Sequence, residues 1–225
     1  MLELYQFELS QYCEKVRLIL DYKELDYRKI EVTPGVGQLE LLQLSGQKQV
    51  PVLKDGDTIV ADSTEIALYL DRQYPERPIL PTEPRARGLC LLIEEWADES
   101  IGLKGRKAFV SALGRNPNFR TALLPVETPK PLKSLVGAAP PAGLLDLFGQ
   151  GLEAVGAGLQ TAETGLKQDL EALCLLVQSG AYLTGSATPT LADLTVAGLS
   201  VLLKFPERGY LDLPEALAGR GLPGL

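Results

Sequence analysis

Four prolines within ten residues, Pro75, Pro78, Pro81 and Pro84, constrain this fold most, because the hydrophobic pattern differs on their two sides. Before them, short strands and helices alternate. Residues 2–7 predict a strand. Residues 10–22 predict a helix, with Val16, Ile19 and Leu20 at helical spacing and Glu14, Lys15, Arg17 and Asp21 between them. Residues 26–32 predict a second strand, and 39–44 a short helix ending near Gly46. Residues 50–54 predict a third strand. Asp55-Gly56 is a hairpin turn, and residues 58–60 return as the partner. Residues 63–74 predict a helix that Pro75 stops. The order β-α-β-α-β-β-α describes a compact α/β layer.

Beyond the prolines the strand pattern disappears. Residues 85–113 read as a long helical segment interrupted by Gly102 and Gly105, and 161–179 as another. Residues 190–203 form a third, opened by Thr190-Leu191-Ala192-Asp193. There the Thr hydroxyl and the Asp carboxylate can satisfy free N–H groups as a capping box. Residues 114–158 are rich in Gly and Pro and read as an unusual insertion. The apolar run 134–152 within it carries one charge, Asp146. A segment of this length without regular pattern points to a functional or mobile element. The expected organisation is an α/β domain over 1–75, a linker over 76–84, and an all-helical domain over 85–225.

Charge and residue counts exclude whole classes of chemistry. The balance of 22 basic against 29 acidic residues, net charge −7, argues against nucleic acid as a partner, since phosphate binding needs concentrated Lys and Arg. There is no histidine. Ser-His-Asp and Cys-His hydrolases, and His-ligated metals, are thereby excluded. Three cysteines, Cys13, Cys90 and Cys174, lie far apart. They show neither zinc spacing nor a disulfide framework, so no metal is expected and a reducing, cytoplasmic setting is. The acid Glu3 inside the first apolar run suits a strand better than a secretory core. No uncharged apolar stretch reaches the roughly 20 residues a spanning helix needs, so a membrane role is not expected. Peripheral contact through 134–152 lacks the Lys and Arg face that anchors such segments.

Three local patterns could carry chemistry. Ser10-Gln11-Tyr12-Cys13 opens the first helix, where unpaired N–H groups and a partial positive charge favour a thiolate. The plainer account makes Ser10 an N-cap and Cys13 a small buried side chain. Gln49-Val50-Pro51 enters a strand, where Pro suits a strand start in trans. In cis it would turn the Val50 N–H and C=O outward toward an extended, peptide-like ligand. Asp62-Ser63-Thr64-Glu65 opens another helix. It is either a capping cluster or an α-amino-acid clamp, with Asp62 taking an ammonium and Ser63 with the helix N–H groups taking a carboxylate.

Together and in this order, these patterns resemble the cytosolic glutathione transferase superfamily, with a thioredoxin-like domain first. The resemblance rests on S-Q-Y-C-E-K-V-R from Ser10, K-Q-V-P-V-L from Lys48, A-D-S-T-E-I-A-L-Y-L from Ala61 and G-S-A-T-P-T-L-A-D-L from Gly185. It lies nearest the zeta, chi and omega-like group. It implies a serine-type transferase with glutathione as co-substrate and a small hydrophobic electrophile as partner, or a peroxide to be reduced. It also implies a homodimer contacting through the helices that begin near 63 and 85. Redox relatives carry C-x-x-C at the first motif; here Ser10 stands at the first position and Cys13 at the second. The resemblance therefore implies Ser10 or Cys13 as the catalytic group beside the sulfur. Val50, before a cis Pro51, would pair with the cysteinyl unit. Asp62 and Ser63 would hold the γ-glutamyl end, and Lys48 or Gln49 the glycyl carboxylate. The electrophile would lie against the helical segment from 85, where Leu92, Glu95, Trp96, Glu99 and Arg106 fall on helical spacing. A non-catalytic binding or scaffold protein on the same fold is the alternative.

Overall fold

A computed structural model describes residues 1–33, 37–124, 128–138, 159–178, 180–207, 211 and 213–224. The core of the predicted insertion, 139–158, and with it most of the apolar run 134–152, lies outside the described residues.

The N-terminal pattern folds as β1 (Leu2–Gln6), α1 (Gln11–Tyr22), β2 (Tyr27–Glu31), α2 (Gly37–Ser45), β3 (Val52–Asp55), β4 (Thr58–Ala61) and α3 (Ser63–Gln73). The sheet order is β2-β1-β3-β4. β1 and β2 run parallel with α1 as crossover, while β3 pairs antiparallel with both β1 and β4. This mixed four-stranded sheet with helices is the thioredoxin-like layer. Side chains alternate between its faces with period two. Leu2, Leu4 and Leu53 point into the main core with Val16, Ile19 and Leu20 of α1 and Ile66, Ala67 and Leu70 of α3. Val52 points the other way, onto Leu41 of α2 and Val32, with Tyr5, Val50 and Ala61 packed around them.

The helical region contains α4 (Pro84–Ala97), a π turn (Asp98–Gly102), α5 (Leu103–Arg115), α6 (Pro117–Ala122), α7 (Lys130–Ala138), α8 (Leu159–Gln178) and α9 (Leu191–Leu199). Chain contacts divide the molecule into two compact units. The first comprises Met1–Gly102 and Gln168–Ser200, so α4 and α9 pack in one core with the sheet domain. The proline-punctuated stretch before α4 is pinned in that core. Ile79 and Leu80 are buried, and Ile79 N–H donates to Asp71 at 2.8 Å. α9 begins at the predicted capping box, with Thr190 N–H donating to Asp193 Oδ2 at 2.8 Å. It lies so close to α1 that a Cβ at Gly198 would fall 2.6 Å from the Lys15 backbone, which only glycine avoids.

The second unit comprises Leu103–Lys167 and Val201–Leu225. Its described core is aromatic. Phe109 meets Phe119 edge to face at 5.9 Å, and Phe119 lies 6.2 Å from Phe205. α6 begins with Pro117 in the first turn, and Asn116 caps it by accepting from Phe119 N–H at 3.0 Å.

Candidate active site

One rung of the sheet organises the site. Tyr5 pairs with Val52, and Val52 pairs with Ala61. Three chain segments leave the sheet next to this rung. They are the turn from β1 to Ser10, the segment entering β3 through Val50 and Pro51, and the step from β4 to Asp62. Register alone therefore gathers the three patterns that the sequence spreads from Ser10 to Asp62, and the Val50–Pro51 peptide is cis.

Each segment has its own fixing contacts. Ser10 is the N-cap of α1, and its Oγ accepts from Cys13 N–H at 3.3 Å. The preceding turn is held by Arg17, which reaches back from α1. Its Nη2 donates to Glu8 O at 3.0 Å, its Nε to Glu14 Oε2 at 2.8 Å, and its Nη1 to the Gln6 side chain. Burial pushes the Glu14 carboxyl above its ordinary value, against the pull of Arg17. Cys13 is fully buried. Burial raises its thiol to about 11, outweighing hydrogen bonding from Ser10 and the Phe7 backbone. A thiol so placed stays protonated near neutral pH and presents no sulfur to a ligand.

Asp62 stands at φ +79°, a backbone conformation that favours glycine. Its Oδ1 accepts from Thr64 N–H at 2.9 Å and Glu65 N–H at 3.1 Å, capping α3 while the side chain remains exposed. Ser63 beside it is buried. Lys48 and Gln49 are exposed on the approach to Pro51, where an ammonium and an amide can meet an anion. Of the residues at helical spacing on the segment from 85, Leu92, Glu95 and Glu99 are exposed and Arg106 is half-buried. Trp96 packs partly buried against the main core.

The glutathione S-transferase N-terminal domain family model matches residues 4–78. This match makes residues 4–78 a glutathione S-transferase N-terminal domain. A zeta-class glutathione S-transferase of Euphorbia esula is 38% identical over 85 residues, which cover 36% of this chain and 38% of that relative. A stringent starvation protein A homolog of Pasteurella multocida is 32% identical over 93 residues, 41% of this chain and 44% of its own. The matched stretch thus spans about two fifths of each relative's length. A crystal structure of a glutathione S-transferase from Rhodospirillum rubrum F11 shares the fold. It has a TM-score of 0.67 and 22% identity, covering 96% of this chain and 84% of that one.

One constellation beside this transferase-fold site escaped the sequence reading. Lys15, Thr64, Glu94 and Asp98 converge below the start of α3. A signal existed, since Lys15 lies four residues before Ile19, on the stripe of α1 that faces inward. Among the described residues no group of three or more His, Cys, Asp or Glu side chains could hold a metal ion, and no helix is long and apolar enough to cross a membrane.

Proposed function

We propose that this protein is a glutathione transferase in which the α1 N-terminus and the Ser10 hydroxyl keep the glutathione sulfur ionised for attack on a hydrophobic electrophile. The single observation behind this reading is the shared rung, which sets the Ser10 cap, the Val50–Pro51 segment and the Asp62 cap at one end of the sheet. In this reading Val50 pairs its backbone with the cysteinyl unit. Asp62 takes the γ-glutamyl ammonium, and Ser63 with the α3 N–H groups takes its carboxylate. Lys48 or Gln49 takes the glycyl carboxylate.

The chemistry needs no histidine. A free thiol with pKa near 8.5 is only about 3% thiolate at pH 7, and lowering that pKa by about two units makes it roughly three-quarters thiolate. The stabilisation required, about 2.7 kcal/mol, is within reach of one charge-assisted hydrogen bond and a helix end. A bound thiolate is a stronger acceptor than the Cys13 thiol and draws the Ser10 proton to itself. The thiol proton passes to solvent. A sulfur electron pair then forms the S–C bond, and the leaving group departs with the electrons of the bond it breaks.

Ser10 takes the catalytic part in this account because burial withdraws Cys13. The reading includes a cytoplasmic setting and a pair of identical copies meeting through α3 and α4. Leu89, Leu91 and Leu92 of α4 are exposed apolar side chains suited to such a contact.

The test is conjugation of generic electrophiles by Ser10→Ala. The expected loss is about 10- to 100-fold in kcat/KM, the worth of one charge-assisted hydrogen bond, with the bound-thiol pKa read from thiolate absorbance moving upward. Equal activity in the variant removes Ser10 from the mechanism. The likeness to a protein named stringent starvation protein A homolog favours a second reading, a binding or scaffold protein on this fold. Wild-type protein that binds glutathione and conjugates nothing would decide for it.

A further inference from the structure

Lys15 is completely buried. Its Nζ lies 2.5 Å from Glu94 Oε1, 3.0 Å from Thr64 Oγ1 and 3.1 Å from Asp98 Oδ1. Thr64 Oγ1 also lies 2.7 Å from Glu94 Oε1. A hydroxyl has one proton and two acceptor positions, so Thr64 donates to Glu94 while accepting from Lys15. Taking an ammonium and a carboxylate out of water is costly, and packing alone would be served by an apolar residue here. The ammonium does something an apolar residue does not, which is to tie three chain segments at one point. Those segments are α1, the first turn of α3, and the end of α4 with the π turn.

The tie reaches the ligand end of α3 through few bonds. Thr64 is fixed by Lys15 through its hydroxyl, and its backbone N–H donates to Asp62 Oδ1 at 2.9 Å. Asp62 in turn holds a backbone conformation that ordinary residues avoid and that its surroundings must stabilise. The same π turn is gripped by the start of α1, where Gln11 Nε2 donates to Gly102 O at 2.6 Å. A π turn of this kind often marks a functional position in a helix.

We propose that Lys15 is a positioning residue. Through the Thr64 hydroxyl it sets the first turn of α3, and with it the Asp62 carboxylate and helix N–H groups that receive an α-amino-acid terminus. The inference rests on the glutathione reading of this site and names the residue that sets its affinity. It concerns binding of the γ-glutamyl end and leaves the sulfur chemistry at Ser10 unchanged.

The test is glutathione titration calorimetry and steady-state kinetics on the full chain. Thr64→Val is expected to raise glutathione Kd and KM about tenfold, the worth of one hydrogen bond to a charged group, with kcat within about twofold of wild type. Thr64→Ser keeps the hydroxyl and is expected to restore both values to within about twofold of wild type. Lys15→Met combined with Glu94→Gln removes the pair together, so that no carboxylate is orphaned at 94. It should raise Kd by the same factor, and adding Thr64→Val should then change little, because the two residues act in series. Should the combined variant fail to fold, Thr64→Val against Thr64→Ser still decides. Wild-type affinity in Thr64→Val, or losses that simply add, would overturn the inference while leaving the site reading intact. Wild-type protein that binds no glutathione overturns both.

Discussion

The two compact units use different physics. The first buries charge. Lys15 and Arg17 are fully enclosed and paired with Glu94, Asp98 and Glu14. The described part of the second unit packs aromatic rings and buries one guanidinium, Arg120, which donates to Gly137 O at 2.7 Å, while its ion pairs Arg115–Glu163 and Lys204–Glu207 involve exposed cations. Buried pairs fix geometry sharply but leave an orphaned charge when one partner is lost, whereas ring packing tolerates small shifts. The unit that carries the candidate site is thus the one whose buried cations are tied by ion pairs, as positioned chemistry demands.

The sharpest way to break this contrast is Arg17→Met. Removing a buried guanidinium strands Glu14 and frees the turn before Ser10, with an expected stability loss of about 3–5 kcal/mol in urea unfolding. A loss below about 1 kcal/mol would class this network with surface pairs. A smaller effect comes from alkaline pH. The Cys13 thiol titrates near 9 when unfolded and at about 11 when folded. Between those values the unfolded chain binds fewer protons, so stability falls as pH rises. The contribution is complete below about pH 9 and lost by about pH 11, on the order of 3 kcal/mol in all. Cys13→Ala should therefore lose less stability over that range by about this amount, and parallel curves for the two proteins would show that the thiol is hydrated. The smallest effect is expected in the second unit, where Arg115 pairs with Glu163 at 3.4 Å while 62% exposed. Arg115→Ala should change stability by less than about 1 kcal/mol, and a larger loss would erase the distinction between the units.

The strand and helix order through α3 was legible because turns, caps and period-two patterns agree there. Ser10, Asp62 and Thr190 each announced a helix start, and each caps one. The burial of Glu14 and Arg17 was not legible, and that of Lys15 only through its spacing from Ile19. Charged residues interleaved with an apolar stripe ordinarily face water, and here α1 is enclosed by β-sheet, α3, α4 and α9 together. The packing of α9 with the sheet domain was equally hidden, since helical periodicity records which face is buried and not against what. Of the candidate site, the three patterns at Ser10, Val50–Pro51 and Asp62 could be read because each punctuates an element. The cluster under Thr64 could not, since its members lie on three separate stretches of chain that only the folded core unites.

Gly198 gives the arrangement a reach that its small size conceals. With no side chain between them, the backbones of α1 and α9 rest directly on one another, so sliding either helix along its axis moves the other. Ser10, which caps α1, and the Thr190–Asp193 capping box of α9 thus stand at the starts of two helices whose backbones touch through position 198.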